Sequence, residues 1–240
     1  MKVVGRKISP GEKYNLEIIW HPSPNYSERP EENNVDMVIL HYTGMEIADD
    51  ALDRLCNPQA EVSAHYLIDE TGMIYGLVEE NKAAWHAGKS YWQGATNINA
   101  RSVGLELSNP GHDFGYRPFP EQQMAALERL LSLIMVEHEI CTNRIVGHSD
   151  VAPTRKMDPG ELFDWHRLAL AGLSRWPEQN RDAAALEQIP RLLSEIGYDP
   201  NVPIGAAITA FQRRFLPDHL TGCADEKTRA TIAAVHSIHS

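Results

Sequence analysis

Apolar positions along this chain fall into two kinds of run, which alternate through roughly the first 170 residues. Val35-Asp36-Met37-Val38-Ile39-Leu40-His41-Tyr42 is almost continuously apolar over strand length and closes on Thr43-Gly44, the pattern of a buried central strand. In residues 46–56 the apolar side chains Ile47, Ala51, Leu52 and Leu55 recur at helical spacing, so a helix is predicted that stops near Asn57-Pro58. The stretches 64–69 and 73–77 flank Glu70-Thr71-Gly72 and predict an antiparallel hairpin. Residues 81–101 are polar, rich in Gly, Asn and aromatics, and fit neither period; they read as a long surface loop, a common carrier of function. Ser102-Val103-Gly104-Leu105-Glu106-Leu107 predicts the next strand. From Pro120 to Ile140, Met124, Leu127, Leu130, Leu131, Ile134 and Met135 mark the longest helix, behind a proline start. A short strand over 144–148, a Pro/Gly-punctuated loop over 149–161 and a closing helix over 163–171 complete this part.

Composition changes after Gly172, and residues 175–182, with Trp176-Pro177 and several charges, read as a linker. Three short helices are predicted beyond it: 184–196 ending at Gly197, 204–215 ending before Pro217, and 227–236. The chain therefore divides into an α/β domain over 1–174 with its core in 20–172, the linker 175–182, and a small C-terminal three-helix domain over 183–240.

The 240 residues carry 33 acidic and 22 basic side chains, a formal charge of −11. That balance repels phosphate backbones and anionic membranes, and no stripe of Lys and Arg offsets it, so no nucleic-acid partner is expected. No window holds the roughly 18 apolar residues of a membrane span; the best candidate, near 127–136, is broken by Glu128 and Arg129. No transmembrane segment is predicted. The basic N-terminal residues are not followed by an apolar stretch of about 7–15 residues, so no signal peptide is read and a cytoplasmic location is expected. Cys56, Cys141 and Cys223 are odd in number and far apart, which predicts reduced and mostly buried thiols.

Eleven histidines prove little by number; position selects among them. His41 ends the central strand, His148 ends a later one, and Asp158 lies ten residues further on in a loop able to fold back over the same sheet edge. Two imidazoles and a carboxylate are the three-ligand set of a catalytic zinc with a fourth position left for water. On spacing alone the alternative stays open, in which both histidines hydrogen-bond at strand ends. Glu106 stands inside an apolar run, where an unpaired carboxylate is costly. It is a candidate general base beside a metal-bound water, or else a structural ion-pair partner of Arg101 or Lys156. Lys156 precedes Asp158 by two residues, so in an extended loop its ammonium projects to the same side, where a developing oxyanion needs support. A solvent-exposed lysine is the plainer reading.

Five stretches taken in order carry a family resemblance: His41-Tyr42-Thr43-Gly44, Ser63-Ala64-His65-Tyr66-Leu67-Ile68, Ala84-Trp85-His86-Ala87-Gly88, Ser102-Val103-Gly104-Leu105-Glu106, and Gly147-His148-Ser149-Asp150 through Lys156-Met157-Asp158-Pro159-Gly160. Over roughly residues 20–172 the chain resembles the type 2 N-acetylmuramoyl-L-alanine amidases, which share the peptidoglycan-recognition-protein fold. The resemblance implies a central mixed β-sheet flanked by helices. It also implies Zn2+ held by His41, His148 and Asp158, Glu106 as general base, Lys156 stabilising the tetrahedral intermediate, and His65, Trp85 and His86 around a substrate groove. The implied reaction is hydrolysis of the amide between the lactyl group of N-acetylmuramic acid, or its anhydro form, and L-alanine of the stem peptide. The implied partners are peptidoglycan fragments (muropeptides) or the sacculus, in turnover or recycling of bacterial cell wall.

Residues 180–238, with Phe211-Gln212-Arg213-Arg214-Phe215 at their centre, resemble the three-helix peptidoglycan-binding domain. Phe211 and Phe215 are one helical turn apart and would pack a core whatever that module binds. Two readings compete with a recycling amidase: a non-catalytic recognition protein of the same fold, and a phage-type lysin acting on intact wall. The complete ligand and base set favours an enzyme. A wall-directed substrate keeps a periplasmic or envelope-associated location as the alternative to the cytoplasm.

Overall fold

The structure is a computed structural model and describes residues 16–30, 34–177 and 181–238. The expectations about the first ten residues, and the middle of the predicted linker at 178–180, lie outside the described residues.

In chain order the elements are β1 (Ile18–Trp20), β2 (Tyr26–Glu28), β3 (Met37–Tyr42), α1 (Ala48–Cys56), β4 (Tyr66–Ile68), β5 (Ile74–Gly76), β6 (Lys82–Ala84), β7 (Ser102–Leu107), α2 (Glu121–Glu137), β8 (Ile145–Gly147), α3 (His148–Val151), α4 (Trp165–Leu170), α5 (Ile189–Ile196), α6 (Ile204–Phe215) and α7 (Glu226–Ser237). Six strands form one mixed sheet in the order β1-β5-β4-β7-β3-β8, and β2 pairs with β6 in a separate antiparallel ribbon. Within the large sheet only β4 and β5 run antiparallel, as the hairpin pattern predicts. Gly72 turns that hairpin with φ +87°, and a Cβ there would lie 2.6 Å from the Gln122 carbonyl oxygen, so both conformation and space demand glycine.

Alternation along the strands sorts residues to two faces. Val38 and Leu40 of β3, with Val103, Leu105 and Leu107 of β7, pack against Leu127, Leu130 and Leu131 of α2 and Leu168 of α4. Met37 and Ile39 point the other way and join Ile189, Leu193, Phe211, Phe215 and Ile232 of the C-terminal helices in one apolar cluster. Leu67 of β4 meets Ala51, Leu52 and Leu55 of α1 on that same side. The three C-terminal helices thus share a core with the sheet, and Phe211 and Phe215 sit in it with ring centroids 4.9 Å apart.

Several boundaries differ from the pattern-based reading for identifiable reasons. The stretch 81–101, read as loop, contains β6 and a 3₁₀ turn at Ile98–Arg101; three residues, two of them alanine, are too short and too poor in β-branched side chains to signal a strand. The helix expected from 184 begins at Ile189, because Pro190 is tolerated only in a first turn. The helix expected to reach 140 stops at Glu137, since Glu139 takes a left-handed φ of +54°. Cys141 and Cys223 are exposed and Cys56 is half-buried, so the thiols are unpaired as expected but not mostly buried; Cys141 and Cys223 stand in connections between elements, which run over the surface. Among the described residues no helix is long and apolar enough to cross a membrane.

Candidate metal centre and groove

The parallel ladder assembles the site at the C-terminal ends of three adjacent strands. His41 is the fifth residue of β3 and pairs in register with Glu106 of β7, so the two side chains leave the same face of the sheet. Leu40 pairs with Gly147 of β8, which brings His148, the next residue, beside His41. Asp158 returns on the loop after α3, where its carbonyl accepts a hydrogen bond from Ser149 N–H at 2.8 Å. His41 Nδ1, His148 Nδ1 and Asp158 Oδ2 lie 2.9–3.0 Å from one another. Their residues are 1%, 3% and 6% exposed, and among the described residues no other such group of three converges.

Hydrogen bonds behind the two imidazoles test whether this donor set fits a metal. His148 Nε2 is 3.1 Å from the carbonyl of Ala87, which only accepts, so the proton sits on Nε2 and Nδ1 offers its lone pair to the centre. Arg155 braces the same carbonyl, and its Nε donates to Lys89 O at 2.9 Å. For His41 the chain of bonds is longer. Ser102 Oγ donates to Ile98 O at 2.7 Å, leaving its oxygen to accept from His86 Nε2–H at 3.2 Å. His86 Nδ1 must then accept from His41 Nε2–H at 3.1 Å, which again leaves Nδ1 free to face the cluster. Both histidines present a lone pair beside an ionised carboxylate, the chemistry a divalent cation needs, and the residues fit zinc.

Electrostatics agree with that arrangement. Burial, reinforced by neighbouring His148, lowers His41 to about 4, so it stays neutral at physiological pH. Burial alone would raise Asp158, but His148 and His41 outweigh it and hold its carboxyl well below the usual carboxylate range. Glu106 behaves oppositely: burial, with Asp158 nearby, pushes it up to about 8 against the opposing pull of Lys156. Its Oε2 is enclosed without a hydrogen-bond partner, as expected of a base whose partner is a water or substrate. Neither structural ion pair considered for Glu106 forms: Arg101 bonds instead to Asp36, at 3.0 Å from Nε to Oδ1, and Lys156 reaches Glu106 through its charge alone.

The cluster opens into a cavity of about 350 Å³ walled by Tyr42, Arg54, Trp85, His86, Glu106, Lys156 and Met157 among others. Trp85 and His86 therefore stand at the groove, His86 with its imidazole packed over Gly104, where a Cβ would lie 2.5 Å from the ring. His65 does not line it. It is 0% exposed, its Nδ1 accepts from Gly104 N–H at 2.9 Å and its Nε2 donates to Lys82 O at 3.0 Å, so both nitrogens are spent on main chain. A larger concavity of about 600 Å³ beside His166, Trp176 and Arg181 holds no converging ligand set among the described residues, so size alone does not mark the site.

Missed at the level of sequence were Ser102, whose hydroxyl fixes a tautomer two residues removed, and Arg155, which braces the loop that holds His148. Neither side chain carries a local signal, since each acts through partners distant in the chain.

Comparisons with known proteins point the same way. Residues 31–161, more than half of the chain, match the family described as Amidase_2, N-acetylmuramoyl-L-alanine amidase. The Escherichia coli N-acetylmuramoyl-L-alanine amidase AmiD is 34% identical over 232 residues, covering 84% of this chain and 82% of that protein. The Haemophilus influenzae 1,6-anhydro-N-acetylmuramyl-L-alanine amidase AmpD is 36% identical over 163 residues, 60% of this chain and 86% of that one. A solved structure of E. coli AmiD in complex with the substrate anhydro-N-acetylmuramic acid-L-Ala-D-γ-Glu-L-Lys superposes with a TM-score of 0.77 at 31% identity, covering 95% of this chain and 96% of that one. With the family matched across the ligand-bearing segments and a relative aligned along most of its length, this chain belongs to the N-acetylmuramoyl-L-alanine amidases.

Proposed function

We propose that this amidase is zinc-dependent and hydrolyses the amide between the lactyl group of 1,6-anhydro-N-acetylmuramic acid and L-alanine of the stem peptide, in turnover or recycling of peptidoglycan. The observation that carries the reading is the convergence of His41 Nδ1, His148 Nδ1 and Asp158 Oδ2 beside the unpartnered carboxyl oxygen of Glu106. AmiD in complex with an anhydro-muropeptide, and relatives named for 1,6-anhydro substrates, support the choice of sugar.

Zinc bound to the three side chains supplies Lewis acidity to the amide carbonyl and to water. In its ionised form, which a cation held by His41, His148 and Asp158 would favour, Glu106 accepts a proton from the attacking water and passes it to the leaving L-alanine nitrogen. The water oxygen bonds to the carbonyl carbon, the C–N bond breaks, and muramate carboxyl and free peptide amine result. Lys156, at the cavity wall, offers its ammonium to the negative charge that develops on the carbonyl oxygen. Trp85 gives an aromatic face for sugar or peptide along the groove.

Zinc analysis and mass spectrometry of anhydro and reduced muropeptides, before and after chelation, test this together. Release of stem peptide that vanishes with chelator and returns with zinc is the expected result, fastest on the anhydro sugar. Fragments bound but left uncut by metal-loaded protein would make the chain a recognition protein.

A further inference from the structure

Asp150 lies two residues after His148 on α3, is 1% exposed, and is held largely by groups from the C-terminal helices. Its Oδ2 accepts from Gly147 N–H at 2.9 Å, closing the turn that carries His148, and from Arg214 Nη1 of α6 at 3.0 Å. Its Oδ1 accepts from the hydroxyl of Tyr198, just beyond α5, at 2.7 Å. Arg214 also donates from Nη2 to Ile145 O of β8 and to Ser174 Oγ, both at 3.1 Å, and its guanidinium stacks 4.1 Å over the Trp165 ring. Arg213, its neighbour, approaches Glu161 at 3.6 Å, three residues beyond Asp158, on the other ligand-bearing segment.

An appended wall-binding module needs no such contact. A packed interface is stabilised by apolar burial alone, and a buried ion pair often adds little net stability while leaving a costly unpaired charge if either partner is lost. What a buried, fully bonded carboxylate does provide is one fixed backbone geometry, and this one lies at the turn that aims an imidazole.

We propose that Tyr198 and Arg214 are positioning residues that act on the metal site through Asp150, so that the C-terminal helices hold His148 at its ligating angle. This rests on the zinc reading above. The prime variant is Tyr198→Phe, which keeps the ring against Trp92 and Phe211 and removes only the hydroxyl donor. Ile232→Val in α7 is the control, a loss of packing in the same helical layer at a residue with no polar contact to Asp150. Zinc affinity is read by competition with a chromogenic chelator on the full chain, well below each variant's Tm.

Tyr198→Phe is expected to weaken zinc about tenfold, the lower end for a partner behind a ligand, and to regain native turnover at saturating zinc. Arg214→Lys, which keeps the charge but not the forked contact to both Asp150 and Ile145, is expected to fall in the same direction. Ile232→Val is expected to lower Tm while leaving zinc affinity native. Native zinc affinity in Tyr198→Phe, or an equal loss in Ile232→Val, overturns the positioning role. Absence of zinc binding by the unaltered chain overturns the metal reading itself, before any variant is compared.

Discussion

The two faces of β3 and β7 carry opposite demands. On one, Val38, Leu40, Val103, Leu105 and Leu107 are all 0% exposed and packed beneath α2 and α4. On the other, β3 runs Met37, Ile39, His41 and β7 runs Ser102, Gly104, Glu106, passing from packing or small residues to ionisable ones towards the C-terminal ends. Covering makes the difference: α2 lies over the first face, whereas α1 and the C-terminal helices cover separate parts of the second and leave the strand ends between them to the groove. One alternation of period two assigns neighbouring residues of one strand to stability and to chemistry.

If that division is real, substitutions on the two faces separate turnover from stability. The largest effect on turnover is expected from His148→Ala, which removes a ligand: bound zinc and stem-peptide release should both be lost, by metal analysis and mass spectrometry. Glu106→Gln removes the base and no ligand, so stoichiometric zinc should persist while kcat falls about 10²–10⁴-fold; native turnover would leave the base unassigned. His86→Phe breaks the bond chain that fixes the His41 tautomer and should weaken zinc about 10–100-fold in a chelator competition. A raised KM with native zinc affinity would instead return His86 to a purely substrate-facing role. On the opposite face, Leu130→Ala should cost about 2–5 kcal/mol in denaturant unfolding yet leave kcat and KM of the folded enzyme unchanged.

Much of this was legible in advance where a pattern was long or a residue type costly. Ser102–Leu107 and Ile204–Phe215 coincide with their predicted spans, because a strand with apolar side chains at every second position and a twelve-residue amphipathic helix carry strong periods. Glu106 stood out because a carboxylate inside an apolar strand needs a reason. β2 and β6 did not, since Tyr26-Ser27-Glu28 and Lys82-Ala83-Ala84 hold no β-branched apolar side chain, unlike the equally short β8 with Ile145 and Val146. His65 and His86 look alike along the chain, yet one has both nitrogens spent on main chain and the other links a ligand to Ser102. Only the fold, which brings Gly104 against both rings, tells them apart.

The apolar layer shared by β3, β8 and the last three helices leaves the chain without a seam. Cut near residue 177, the sheet and α3 would turn Met37, Ile39, Val146 and Val151 towards water, a contiguous patch of the sort that drives aggregation. The two parts look modular along the sequence, but they are not interchangeable pieces. An exchange of the three helices for another set succeeds only if the sheet's facing residues are exchanged with them.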